Sequence, residues 1–191
     1  MASGLIACVP ASVRMVAADQ SARQTQGSYQ KLAFNLSRRQ AVGQSLEINA
    51  SLTGQVAEKN LDSSERFTLG GPTGIRAYPI GEATGDEGWL AKLIASYTVS
   101  KQLTASAFVE SGFVKLNKST WTGWNSTPPN LGNEYGLTGA GLSLDWKISA
   151  ATLTLVLATP LGSNPGADSQ GKDADGQRRD MRCWLSLSAP F

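Results

Sequence analysis

A period-two alternation recurs along this chain, and the segments that carry it are joined by connections of alternating length. In 46–56, Leu46, Ile48, Ala50, Leu52 and Val56 share one side, and Glu47, Asn49, Ser51, Thr53 and Gln55 share the other. Successive side chains of a strand point to opposite faces, so the pattern describes a strand with one apolar and one polar face. Segment 28–40 sets Leu32, Phe34 and Leu36 against Lys31, Asn35, Ser37 and Arg39. Segment 138–148 sets Ala140, Leu142, Leu144, Trp146 and Ile148 against Gly141, Ser143, Asp145 and Lys147, and 150–160 aligns Leu153, Leu155 and Leu157. Less regular strands are read at 88–99, 103–115, 181–191 and 4–16, giving about eight in all.

The connections are short near 41–44, 100–102 and 148–150, and long at 18–27, 59–87, 116–134 and 161–180. Long loops on one side and short turns on the other characterise a bacterial outer-membrane β-barrel. Ten residues at about 3.4 Å each, tilted by about 45°, rise about 24 Å, which matches the apolar band of such barrels. The expected fold class is therefore all-β, an antiparallel transmembrane β-barrel. The competing architecture is a soluble β-sandwich, which also alternates but turns its apolar face inward. Phe191, on the same side as Ala189, Leu187, Leu185 and Cys183, resembles the terminal aromatic signal read by the barrel-assembly machinery.

Composition narrows the chemistry. Charged residues are 17% and hydrophobic residues 41%, so the chain is neither acidic-disordered nor a helical membrane protein. No run reaches the roughly 18 apolar residues of a membrane-spanning helix. The net charge of +2 gives no reason to expect nucleic acid. There is no histidine, which excludes a His-based metal site or triad. With no nucleophile–base pair and no metal-ligand spacing, no enzyme activity, metal or cofactor is expected. Cys8 and Cys183 read as unpaired packing residues, with a bridge left open. Asp86, Glu87, Asp173 and Asp175 read as hydrated loop charges. Met1–Ala18 lacks a basic start and is interrupted by Arg14, so it is not read as a signal peptide.

The segment Leu61–Trp89 is too long for a hairpin turn, and such loops are commonly functional. It carries Phe67-x-Leu69-Gly70-Gly71, then Gly74-Ile75-Arg76-Ala77-Tyr78. Apolar, aromatic and cationic anchors at fixed offsets are not a disordered composition. The first run resembles the Phe-x-Leu-Gly-Gly motif of the two-partner secretion transporters, the haemolysin secretion/activation family. The second resembles that family's Val-Arg-Gly-Tyr/Phe loop tip, with Ala77 in place of glycine. Alanine there disfavours a backbone of positive φ. Phe108-Val109-Glu110-Ser111-Gly112 resembles the family's Phe-x-Asp-x-Gly strand motif, with Glu110 in place of aspartate.

That resemblance, over about Gly27 to Phe191, implies an inward-folded loop, 59–87, whose Arg76 pairs with Glu110 in the barrel lumen. Parity agrees: Glu110 shares a face with Ser106, Phe108 and Gly112, while Ala105, Ala107 and Val109 face the other way. The lipid face penalises charge, so Glu110 belongs to the lumen, and Gly112 leaves room beside it. Two charges at 4 Å attract by about 4 kcal/mol at an effective dielectric of about 20, before desolvation.

The resemblance implies a barrel of about sixteen strands, of which residues 1–191 would supply the C-terminal part. Open sheet edges do not occur in the lipid hydrocarbon. The chain is thus a fragment, a truncated product, or a sheet that closes on itself with the loop outside. The implied function is an outer-membrane pore that carries an unfolded haemolysin- or adhesin-type polypeptide to the Gram-negative cell surface. Its implied partners are that polypeptide, the barrel-assembly machinery and outer-membrane lipid. A general porin and a soluble sandwich binding module are the alternatives.

Overall fold

The computed structural model describes residues 23, 25, 28–125 and 131–190. Seven strands form one antiparallel sheet: β1 (Lys31–Val42), β2 (Leu46–Ala57), β5 (Glu87–Thr98), β6 (Leu103–Lys115), β7 (Glu134–Ile148), β8 (Ala151–Pro160) and β9 (Arg182–Ser188). Each pairs with the next in that order, from β1 at one edge to β9 at the other. A two-residue ribbon, β3 (Phe67–Thr68) with β4 (Thr84–Gly85), lies within the long connection between β2 and β5.

The all-β antiparallel fold is as the alternation predicts. Three short turns fall after β1, β5 and β7, and three long loops after β2, β6 and β8. No second sheet of comparable size packs on the first among the described residues, so the sandwich alternative is set aside. β1 and β9 do not pair, so the self-closing alternative is not what these strands form either. The long loop lies against the sheet rather than outside it.

Some boundaries differ from the sequence reading. β7 begins at Glu134 rather than 138, because Tyr135 and Leu137 continue the ladder opposite Val114 and Gly112. Gly136 and Gly139 had broken the apolar rhythm there. The strand read at 4–16, Cys8 and Phe191 lie outside the described residues. Cys183 is exposed on the outer face of β9 and unpaired, so it is not a packing residue among the described strands.

The register makes the two faces chemically distinct. One face presents Leu32, Leu36, Val56, Leu93, Val109, Leu142, Leu144, Leu157, Leu185 and Leu187, all exposed. Trp89 stands near its loop end, and Tyr97 and Trp146 near its turn end. Eight residues separate Trp89 from Tyr97, or about 26 Å along the strand. An apolar band with aromatics at both margins is a lipid-facing surface. The other face is polar along β1 and β2, with Asn35, Ser37, Asn49, Ser51 and Thr53, and is covered by the long loop along β5 to β9.

Leu93 sits mid-band and is 53% exposed. Leu93→Arg should destabilise the inserted barrel by about 2–4 kcal/mol, whereas Asn35→Arg on the opposite face should be nearly neutral. Urea titration of the heat-modifiable folded form in lipid vesicles measures both. Equal effects would mean that the two faces do not meet different solvents, and a reversed order would mean that they are assigned the wrong way round.

Candidate functional site

The connection 58–86 is a folded unit. Leu61 is fully buried at its base. Asp62 caps a short 3-10 turn, Ser63–Glu65, by accepting from the Ser64 N–H at 3.1 Å. Beyond the ribbon the backbone bonds to itself. The N–H groups of Leu69 and Gly70 donate to the carbonyls of Ala83 and Glu82 at 3.1 and 3.0 Å. Gly71 donates to Tyr78, and Ile75 to Leu69. Gly71 has a φ of 109°, a conformation for which glycine is suited. At Gly74 a Cβ would overlap the Leu69 carbonyl, so only glycine fits.

This unit lays its apolar side chains on the inner face of the sheet. Leu69, Ile75, Ala77 and Tyr78 are buried against Leu90, Phe108, Val114, Leu137, Val156 and Ala158. Phe67 lies over Gly88, where a Cβ would come within 2.6 Å of its ring. A Cβ at Gly112 would overlap Leu69 Cδ2, and one at Gly139 would stand 2.5 Å from the Ala77 methyl. Glycines in the wall thus form the seat of the loop. Ala77 occupies the space that Gly139 leaves. It needs no positive φ, since the positive-φ positions flanking it are Gly71, Gly81 and Ala83.

The structure brings Arg76 and Glu110 together. Glu110 is fully buried in β6, a strand paired on both sides. It accepts from Arg76 Nε at 2.8 Å and from the Arg76 backbone N–H at 2.7 Å. The guanidinium carbon lies 3.4 Å from the centroid of Phe108. Arg76 Nη2 is buried without a hydrogen-bond acceptor, and the negative face of that ring offers it partial compensation. The Tyr78 hydroxyl lies 3.4 Å from the Thr138 carbonyl.

Two partners escaped the sequence reading. Lys92 of β5 stands opposite Glu110 in the register. Its Nζ donates to the Thr73 carbonyl at 2.6 Å and lies 3.7 Å from Glu110 Oε1. Trp184 Nε1 donates to the Arg76 carbonyl at 2.8 Å. The available signal for Lys92 was a lone charge in an apolar strand at inward parity. Trp184 comes from the far edge of the sheet, and nothing local indicates its reach.

The acidic residues taken for hydrated loop charges are ion-paired. Asp86 is fully buried, bonded to Arg66 Nε at 3.0 Å and to the Lys118 N–H at 2.9 Å. Arg66 also donates to the Leu116 carbonyl. Glu87 takes Lys118 Nζ at 2.8 Å. Together these bonds tie the base of loop 58–86 to loop 116–133. Asp173 and Asp175 both pair with Arg182, each at 2.7 Å. Glu82, also buried, accepts from Asn164 and from the Ala174 N–H, so loop 161–181 is fastened to the same unit. No cluster of possible metal ligands occurs among the described residues.

Residues 9–144 match the family model described as Haemolysin secretion/activation protein ShlB/FhaC/HecB. The Heme/hemopexin transporter protein HuxB of Haemophilus influenzae strain 86-028NP is 31% identical over 174 residues, covering 88% of this chain and 28% of the relative. The HuxB of strain ATCC 51907 / DSM 11121 / KW20 / Rd is 31% identical over 147 residues, covering 74% of this chain and 25% of the relative. The chain therefore spans little more than a quarter of these relatives. Among solved structures, CdiB from Acinetobacter baumannii superposes with a TM-score of 0.58 at 18% identity, over 82% of this chain and 26% of that one. That likeness shows a shared fold.

Gly139→Ala should push the loop tip off the wall, because its methyl would meet that of Ala77; overpacking of this kind costs about 1–3 kcal/mol. Ala77→Gly in the same chain should recover most of the loss, as read by protease resistance of 58–86. Failure of the second change to help would place the tip elsewhere.

The Arg182 hydrogen bond holds the Asp175 carboxyl below its ordinary range. A lowered folded pKa stabilises above the unfolded value, about 3.9, and that contribution is lost as pH falls through the folded value. Loop 161–181 should thus lose hydrogen-exchange protection progressively as the pH falls below the ordinary carboxylate range, after correction for intrinsic rates. Unchanged protection would show that the Arg182 cluster does not hold it.

Proposed function

The chain belongs to the haemolysin secretion/activation family, and on that premise we propose that it forms the C-terminal part of an outer-membrane polypeptide pore. Residues 1–191 supply barrel wall, and 59–87 is the loop folded into the lumen. The cargo is an unfolded secreted polypeptide of the haemolysin or adhesin type, moved to the cell surface without covalent chemistry. The observation that carries this reading is the loop held on the inner face by Arg76 and Glu110 while the outer face is an apolar band.

Two further features support it. The polar inner face along β1 and β2 gives an unfolded chain no large apolar surface to adhere to, which suits passage. Among the described residues, the outer edges of β1 and β9 are unpaired. Lipid does not tolerate open edges, so further strands complete the pore. The machinery that assembles outer-membrane barrels is then a partner, and the outer membrane is the location. Phe191 would be the assembly signal. No cofactor is required.

Removing the guanidinium from a fully buried pair with no other cation costs up to about 3–5 kcal/mol, and Lys92, 3.7 Å from Glu110, reduces that here. In the intact transporter, Arg76→Ala and Glu110→Ala should each reduce secretion of the cargo while the barrel still inserts. The double variant should be little worse than either single one, because both remove one interaction. Normal secretion by the single variants, or losses that simply add, would remove the pair from the mechanism.

A further inference from the structure

Glu110 faces two cations of different kinds. Arg76 belongs to the loop and leaves whenever the loop leaves. Lys92 belongs to the wall, directly opposite Glu110 in the β5–β6 register, and stays. With the loop seated, Lys92 Nζ donates to the Thr73 carbonyl at 2.6 Å and forms a looser ion pair with Glu110, 3.7 Å from Oε1 and beyond hydrogen-bond range. We propose that Lys92 is the positioning residue of this loop: it grips the seated tip through Thr73 and becomes the sole, hydrogen-bonded counter-ion of Glu110 when Arg76 withdraws.

The geometry makes the exchange concerted. Thr73 and Arg76 lie in the same tip, three residues apart, so one displacement removes both. It frees Lys92 Nζ at the moment Glu110 loses its guanidinium. A shift of about 1 Å in a flexible four-carbon stem then closes a charge-assisted bond. Without this exchange Glu110 would lose its cation as the tip lifts, before lumen water has replaced the covering loop, which is unfavourable. With it, the seated and unseated states both keep Glu110 paired, and the loop can leave without the wall losing stability. Arginine's fixed fork suits the seated state, whereas lysine's mobile point charge suits the role of reserve.

This inference rests on the membrane-pore reading, but its readout is the recovery of folded barrel, which does not depend on secretion. A failure of secretion alone therefore bears on the function and not on Lys92. In the intact outer-membrane protein, Arg76→Ala should leave the heat-modifiable folded form largely intact, since Lys92 takes over. Arg76→Ala with Lys92→Met should lower its recovery by at least about tenfold, because Glu110 then has no cation. Adding Glu110→Gln to that pair should restore recovery by removing the charge. Arg76→Ala with Lys92→Arg should behave like Arg76→Ala alone. A merely steric Lys92 would be replaced adequately by methionine, and Glu110→Gln would change nothing. Full recovery of the Arg76→Ala/Lys92→Met variant, or no restoration by Glu110→Gln, would overturn the proposal.

Discussion

A carboxylate inside the wall of a lipid-embedded sheet must be paired, and the seating of the loop tip turns on how Glu110 is paired. Its strand is bonded on both sides, so Glu110 cannot move aside to find water. Its counter-ion arrives from sequence 34 residues away, at the tip of a loop, and brings its own backbone N–H as a second donor. Coulomb attraction at such distances amounts to a few kcal/mol at the effective dielectric of protein, and desolvation opposes it. Pairing is thus less a large net stabilisation than a condition of assembly. A charge left alone there is costly, and with the tip seated Arg76 supplies the closest cation, with Lys92 of the wall 3.7 Å away.

Everything around the pair is arranged to let the loop reach it. Glycines 88, 112 and 139 remove Cβ atoms where Phe67, Leu69 and Ala77 come down on the wall. The loop satisfies its own backbone, which matters because a buried loop otherwise carries unpaired polar groups. Its base is held separately by Asp86, Arg66 and Lys118, and its returning limb by Glu82 and loop 161–181. Tip and base are therefore fastened by different charges. The tip's fastening is thus independent of the base's.

Much of this was legible in the sequence because a barrel wall has two solvents. Lipid outside and a polar or covered lumen inside impose strict alternation, and Leu46–Val56 or Ala140–Ile148 display it residue by residue. Loop lengths separated the two ends. Glu110 was legible because a charge at inward parity in a strand allows few readings. Legibility failed where burial depends on distant chain. Asp86 sits among polar loop residues, and nothing nearby reveals that Arg66 and loop 116–133 enclose it. Lys92 was obscured by the irregular pattern of β5, and Trp184 by its distance from Arg76 in sequence. The start of β7 was hidden by Gly136 and Gly139, residues needed for close packing rather than for strand propensity. The strand read at 4–16 and the role of Phe191 stay outside the described residues.

The central claim is that the loop lies seated on the inner wall and that Arg76 and Glu110 keep it there. Leu69 offers the most direct test, because it lies over Gly112 with no side chain between them. Photo-leucine is nearly isosteric with leucine. Incorporated into the intact protein in membranes and illuminated, it should link position 69 to the 103–115 strand, as read by mass spectrometry of the digested chain. In Arg76→Ala that link should fall sharply. No link from position 69 to 103–115, or a link that persists undiminished without Arg76, would contradict the account.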